Sequence, residues 1–127
     1  MSNIMLKDKV AVITGASQGL GEALAIRLSD EGCKVVVADL NYEGAQNVAA
    51  QLKDAIAVAV DVTKYEDCEA MAKAAVDKYG RIDILVANAA IVMSGDILEF
   101  PAAKFAKVVD VNLNGYFNTV KAVVGYM

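Results

Sequence analysis

Histidine and tryptophan are absent from this 127-residue sequence, proline occurs once and cysteine twice. Without histidine, His-ligated zinc sites and Ser–His or Cys–His nucleophile pairs are excluded. Cys33 and Cys68 are far apart and form no Cys-x-x-Cys spacing, so they read as reduced, partly buried thiols, and a reducing cytoplasm is the expected location. No apolar run approaches the roughly 18 residues of a membrane span, and no signal-peptide pattern opens the chain, whose polar first residues, Met1 to Asn3, are expected to fray. Basic residues are also short: 12 Lys and Arg against 16 Asp and Glu give a net charge of −4. That balance argues against nucleic acid as a partner, which requires clustered cations to displace counterions.

What the sequence does have is apolar side chains, 57% against 22% charged. At this length one domain can bury a real core. The apolar excess fits elements covered on both faces, or a surface reserved for a partner. Short β-branched runs alternate with amphipathic stretches. Lys9–Thr14, Lys34–Asp39, Ala55–Val60 and Asp83–Asn88 read as strands. Gly19–Glu31, closed by Gly32, Glu43–Lys53, and Glu66–Tyr79, closed by Gly80, read as helices. Pro101 suits the first turn of a fourth helix that runs to the chain end and bends near Asn112–Gly115. Continuous apolar strands alternating with helices predict an α/β protein: a doubly wound, Rossmann-type parallel sheet in the order 3-2-1-4 with strand four as an open edge.

Two features carry chemistry. Thr14-Gly15-Ala16-Ser17-Gln18-Gly19-Leu20-Gly21 joins the first strand to the first helix. A dinucleotide diphosphate needs such a loop: a tight turn, no Cβ where backbone meets phosphate, and free N–H groups at a helix start. A flexible turn is the plain alternative, but the flanking strand and helix weigh against it. Asp39, at the tip of the second strand, is placed to accept hydrogen bonds from ribose hydroxyls. Its charge would repel a 2′-phosphate, and Ser17, Gln18 and Leu40 supply no cation to offset it. A hydrogen bond to a charged group is worth about 1.5–3 kcal/mol, so NAD is expected to bind about tenfold or more tightly than NADP. The plain alternative for Asp39 is a carboxylate that caps the following turn.

The glycine loop, Asp39, Asp61-Val62-Thr63, Asn88-Ala89-Ala90 and Val111-Asn112-Leu113-x-Gly115 resemble, in order and spacing, successive motifs of the short-chain dehydrogenase/reductase family. The resemblance spans essentially the whole chain. It implies that Asp61 and Val62 flank an adenine ring. It also implies that Asn88 and Ala89 line the end of strand four near the adenosine ribose, with Ala90 and Ile91 close by. Asn112 matches the family's catalytic Asn, which bends its helix and holds a water in a proton relay. Ala87 and Ala90 stand where the family pattern has Asn and Gly. The family's Ser and Tyr-x-x-x-Lys have no counterpart, because none of Tyr42, Tyr65, Tyr79 or Tyr116 has Lys four residues on. By that resemblance the chain is the truncated, amino-terminal half of a complete member.

Without the Tyr and Lys, alcohol oxidation lacks its general base, a loss of about 10²–10⁴-fold. Three readings stay open. The chain is an NAD(H)-dependent oxidoreductase that passes hydride to quinones or dyes, as a diaphorase does, or to a carbonyl acceptor. It is a non-catalytic NAD-binding, oligomeric module. Or it is an inactive fragment of a full-length enzyme. Phe105, Val108, Val109, Leu113, Phe117, Val120 and Val124 give the last helix more apolar positions than one stripe needs. Self-association through that helix and the strand-four edge is therefore expected, with ordinary intramolecular packing as the alternative.

Overall fold

The computed structural model describes residues 5–127, so the expectation for Met1 to Asn3 lies outside the described residues. Four strands, β1 (Val10–Thr14), β2 (Lys34–Asp39), β3 (Ala55–Ala59) and β4 (Ile84–Val86), pair in parallel in the order β3-β2-β1-β4. Helices α1 (Gly19–Asp30), α2 (Tyr42–Ala49) and α3 (Tyr65–Tyr79) connect them. After β4 come α4 (Ala102–Val109), a π-helical turn (Asp110–Asn114) and α5 (Gly115–Val124).

The alternation of side chains along β1 and β2 sorts the core into two layers. Val12, Val36 and Ala38 pack on one face with Met71, Ala72 and Ala75 of α3 and Ala122 and Val123 of α5. Ile13, Val35 and Val37 pack on the other with Ala25 of α1 and Ala45 and Val48 of α2. Each fully buried Val or Ile contributes about 1.5–3 kcal/mol relative to exposure, and both layers draw on β1 and β2. Those two strands are buried almost throughout, whereas β3 and β4 are half-exposed at the sheet's edges.

Most boundaries fall within a residue or two of the expectation, and the differences have local causes. At the end of α1, Cys33 N–H donates to Leu28 O (2.9 Å) and Gly32 N–H to Ser29 O (3.0 Å), with Gly32 at φ 98°. This paired closure is what a terminal glycine in the left-handed region permits. Helix α2 ends at Ala49 rather than Lys53. Gln51 and Leu52 tighten into i→i+3 bonds to Val48 and Ala49, and the Lys53 N–H turns to Ser29 Oγ (3.0 Å). Strand β4 is three residues long rather than six. At its start the Asp83 carboxylate takes the Val10 N–H (2.9 Å), and past its end side-chain bonds to Thr14 replace the ladder. Pro101 precedes the fourth helix as its N-cap, and the expected bend is the π turn around Asn112.

Candidate functional site

A cleft of about 410 Å³ opens at the carboxyl ends of the strands. Its walls hold Gly15, Gln18, Gly19, Asp39, Leu40, Asp61, Val62, Asn88, Ala89, Ala90 and Ile91, all singled out from the sequence. Ligands of open α/β sheets settle in this kind of crevice. Val60, Lys107 and Val111 also line it and were not anticipated. Val60 follows directly on β3 and precedes Asp61, so the end of the expected strand marks its place. Lys107 and Val111 carry no sequence signal of their own, because their position depends on how the fourth helix crosses the sheet.

Ser17, Leu20, Gly21 and Asn112 do not line the cleft. Leu20 is exposed on α1. Gly21 is buried behind the loop, where an added Cβ would overlap Gly15 O and lie 2.7 Å from Asn88 Nδ2. At Gly15 an added Cβ would come within 2.9 Å of Ala89 Cα, and the backbone there has φ 64°. The absence of side chains at these two positions lets the loop fold flat onto the start of α1 and the end of β4. Asn88 fixes it there. Its Nδ2 donates to Thr14 O and Gly15 O (3.2 Å each), while Thr14 Oγ1 accepts the N–H groups of Asn88 and Ala89 (3.1 Å each). Helix α1 opens on this loop without a side-chain cap at Gln18. Its first-turn N–H groups are therefore left without a side-chain acceptor at the helix's positive end, where Gly19 lines the cleft.

The Asp39 carboxylate is held by backbone donors on both sides: Ser17 N–H reaches Oδ2 (3.0 Å) and Asn41 N–H reaches Oδ1 (2.9 Å). The turn-capping role thus exists, and Ser17 serves the site through its amide. Each oxygen still has a lone pair for a further donor, and Asp39 lines the cleft beside Leu40. Next along the wall, Asp61 Oδ1 accepts from Thr63 Oγ1 (2.6 Å) and Thr63 N–H (3.0 Å). The Thr63 hydroxyl is the main reason the Asp61 carboxyl sits below the usual carboxylate range, against the pull of burial and with help from Thr63 N–H and the charges of Lys64 and Lys107.

Asn112 is exposed and reaches the site through Ile91. Its Oδ1 accepts the Ile91 N–H and its Nδ2 donates to Ile91 O, both at 2.9 Å. The carboxamide is thus committed to both main-chain polar groups of Ile91 and holds the loop after β4. Three residues on, Gly115 lets this helix approach β3's end, since a Cβ there would lie 2.6 Å from Val62 Cγ2. Asn118 Nδ2 adds a bond to Val62 O (2.9 Å).

The fold and this cleft define an α/β protein with an open parallel sheet and a glycine loop at its switch point. Comparison with known proteins narrows that class. The family model described as short chain dehydrogenase matches residues 9–127, and the chain belongs to that family. An uncharacterized oxidoreductase of Staphylococcus aureus (strain MRSA252) is 40% identical over 125 residues, covering 97% of this chain and 54% of the relative. One from Staphylococcus epidermidis is 37% identical over 123 residues, covering 96% and 54%. The crystal structure of 3-ketoacyl-(acyl-carrier-protein) reductase from Brucella melitensis complexed with NADH superposes with a TM-score of 0.92 at 38% identity, covering 95% of this chain and 51% of that one. Hydroxysteroid dehydrogenase from Escherichia coli gives 0.89 at 32%, covering 96% and 53%. The chain spans about half the length of the curated relatives it matches.

Proposed function

We propose that this chain is the nicotinamide-dinucleotide-binding part of an oxidoreductase and takes NAD(H) in preference to NADP(H). The observation that carries this is the pairing, in one cleft, of an uncapped helix start behind a Cβ-free loop with a carboxylate fixed at the tip of β2. The cradle fits a diphosphate because Gly15 and Gly21 let the loop pack flat against Ala89, Asn88 and the start of α1, while Gly19, with φ 58° and nothing within 4 Å of an added Cβ, leaves the helix start open to the cleft. The relationship to a Brucella melitensis reductase solved with NADH supports a nicotinamide cofactor.

In this reading Gly15, Gln18, Gly19 and the first turn of α1 bind the diphosphate, with Ser17, Leu20 and Gly21 shaping the loop. Asp39 accepts from the ribose hydroxyls and excludes a 2′-phosphate by charge. Leu40, Asp61 and Val62 bound the base, and Asn88, Ala89, Ala90 and Ile91 form the facing wall. Asn112 acts on the site by holding Ile91 in place. When bound, the dinucleotide supplies a hydride donor or acceptor.

By binding and presenting the cofactor alone, these residues suit acceptors that take hydride without a protein proton donor, quinones and redox dyes, as in a diaphorase. The test is NADH consumption by the purified chain with a panel of quinones, dyes and carbonyls. Turnover with quinones or dyes but not carbonyls is expected. Binding without turnover would leave a nucleotide-binding module.

A second feature supports self-association. Phe105, Leu113, Phe117 and Val124 are more than half exposed, and α4 buries no residue. Packing among the described residues therefore leaves much of the apolar surface of α4 and α5 uncovered, and β4 is an edge strand there. A homo-oligomer covering both is proposed, with sedimentation velocity as its check; a monomer at micromolar concentration would contradict it. Both cysteines are free and buried, which supports a reducing compartment such as the cytoplasm, and none of the helices among the described residues is long and apolar enough to cross a membrane.

A further inference from the structure

Lys107 is the one cationic side chain that lines the cleft among the described residues, and the cofactor reading gives it no task. It rises from α4 one turn before Val111, which packs against the cluster holding Val60 and Val62, and both residues line the cleft with Val60, Asp61 and Val62. Those three follow β3, two strands away from β1 and its glycine loop. Strand spacing puts the two ends of the cleft roughly 10 Å apart. Lys107 therefore belongs to the end opposite the loop. Its ammonium enters no hydrogen bond or ion pair among the described residues, although its charge is felt at Asp61. Its helix contributes nothing to the core, so the side chain has no structural duty there.

We propose that Lys107 reads the base of the bound adenine nucleotide: its aliphatic stem extends the apolar slot of Val62 and Val111, and its ammonium lies against the base. This rests on the dinucleotide reading of the cleft. An ammonium against an aromatic face is an attractive contact that survives partial exposure, and the stem of lysine covers apolar surface while its head stays hydrated. Asp61, on the same wall, offers acceptor oxygens to an exocyclic amine. The base end thus presents a cationic donor and an anionic acceptor, whereas the loop end carries no charged side chain from residues 14–21.

The test compares the unmodified protein with Lys107→Met, which keeps the stem and removes the charge, and Lys107→Arg, which keeps the charge. Affinities for AMP, ADP, NAD and NADP are measured by calorimetric titration, with thermal melting as a check on folding. Lys107→Met should weaken AMP, ADP and NAD by the same factor, about two- to fivefold. Lys107→Arg should bind within about twofold of the unmodified protein, and neither variant should shift the melting temperature. Unchanged affinities in Lys107→Met would overturn the assignment. A loss that grows from AMP to ADP, or that falls mainly on NADP, would overturn it as well, because Lys107 would then be pairing with phosphate. If the unmodified protein binds none of the four, the cofactor reading itself fails and this assignment with it. Binding that is merely insensitive to Lys107 removes only the assignment.

Discussion

Replacing Gly21 with alanine probes the loop where the structure is least able to yield. The new methyl would overlap Gly15 O and stand 2.7 Å from Asn88 Nδ2 and 2.9 Å from Gly15 C. Neither neighbour can move freely. Gly15 is main chain, and Asn88 Nδ2 is tied to Thr14 O and Gly15 O at 3.2 Å. Overpacking of this kind costs about 1–3 kcal/mol. Alanine is the better helix former by up to about 1 kcal/mol, an advantage reduced in a first turn. The net is a destabilisation of about 1–2 kcal/mol. At about 3–6 °C per kcal/mol for a domain of this size, the melting temperature should fall by roughly 3–12 °C. Because the strain is relieved by lifting the loop, NAD affinity should fall by about tenfold or more, the equivalent of about 1.4 kcal/mol. Gly125→Ala is the control: nothing lies within 4 Å of a Cβ there, and its backbone is helical. It should melt and bind as the parent does. Differential scanning calorimetry and calorimetric titration read both quantities. A Gly21→Ala protein with unchanged melting and unchanged NAD affinity would refute the close-approach reasoning.

Three further substitutions test separate parts of the site. Asp39→Ala should narrow the preference for NAD over NADP, measured by paired titrations; an unchanged ratio would leave Asp39 with only its caps on Ser17 and Asn41. Thr63→Val removes the hydroxyl that holds the Asp61 carboxyl below its usual range. A depressed folded-state pKa contributes stability above the unfolded value near 4 and loses it as pH falls through the folded value. The variant should thus be less stable by about 1 kcal/mol at pH 7 and converge with the parent in strong acid, as urea unfolding against pH would show. A stability gap that persists below about pH 2 would refute the charge-assisted bond. Asn112→Ala should release both main-chain bonds of Ile91, so that hydrogen exchange at the Ile91 amide accelerates by about tenfold or more, while the global melting temperature changes little. Equal exchange in parent and variant would count against the clasp.

Legibility from sequence followed the range of the forces involved. Strands β1 and β2 were readable almost to the residue because their buried runs are continuous and bounded by Gly15 and Gly32. The loop at residues 14–21 and Asp39 were readable because local backbone requirements dictate glycine and a strand-end carboxylate. Long-range contacts were not readable. Strand β4 stops early because the Thr14 hydroxyl, 74 residues away, takes the Asn88 amide. Helix α2 stops early because Ser29 captures the Lys53 amide. Gly21 lets backbone meet backbone, the packing duty that the last glycine of such a loop carries. Lys107 and Val111 enter the cleft only because Gly115 brings the π turn and α5 down onto Val62, a contact between residues 53 positions apart for which the sequence offers no period or spacing.

The central claim is that backbone donors around Gly15 and Gly19 grip a diphosphate while Asp39 holds a ribose. Calorimetric titration of the purified chain with NAD and NADP in parallel tests it most directly. A saturable site for NAD is expected, with NADP weaker by about tenfold or more. No binding of either at millimolar concentration, or NADP binding the more tightly, would contradict it.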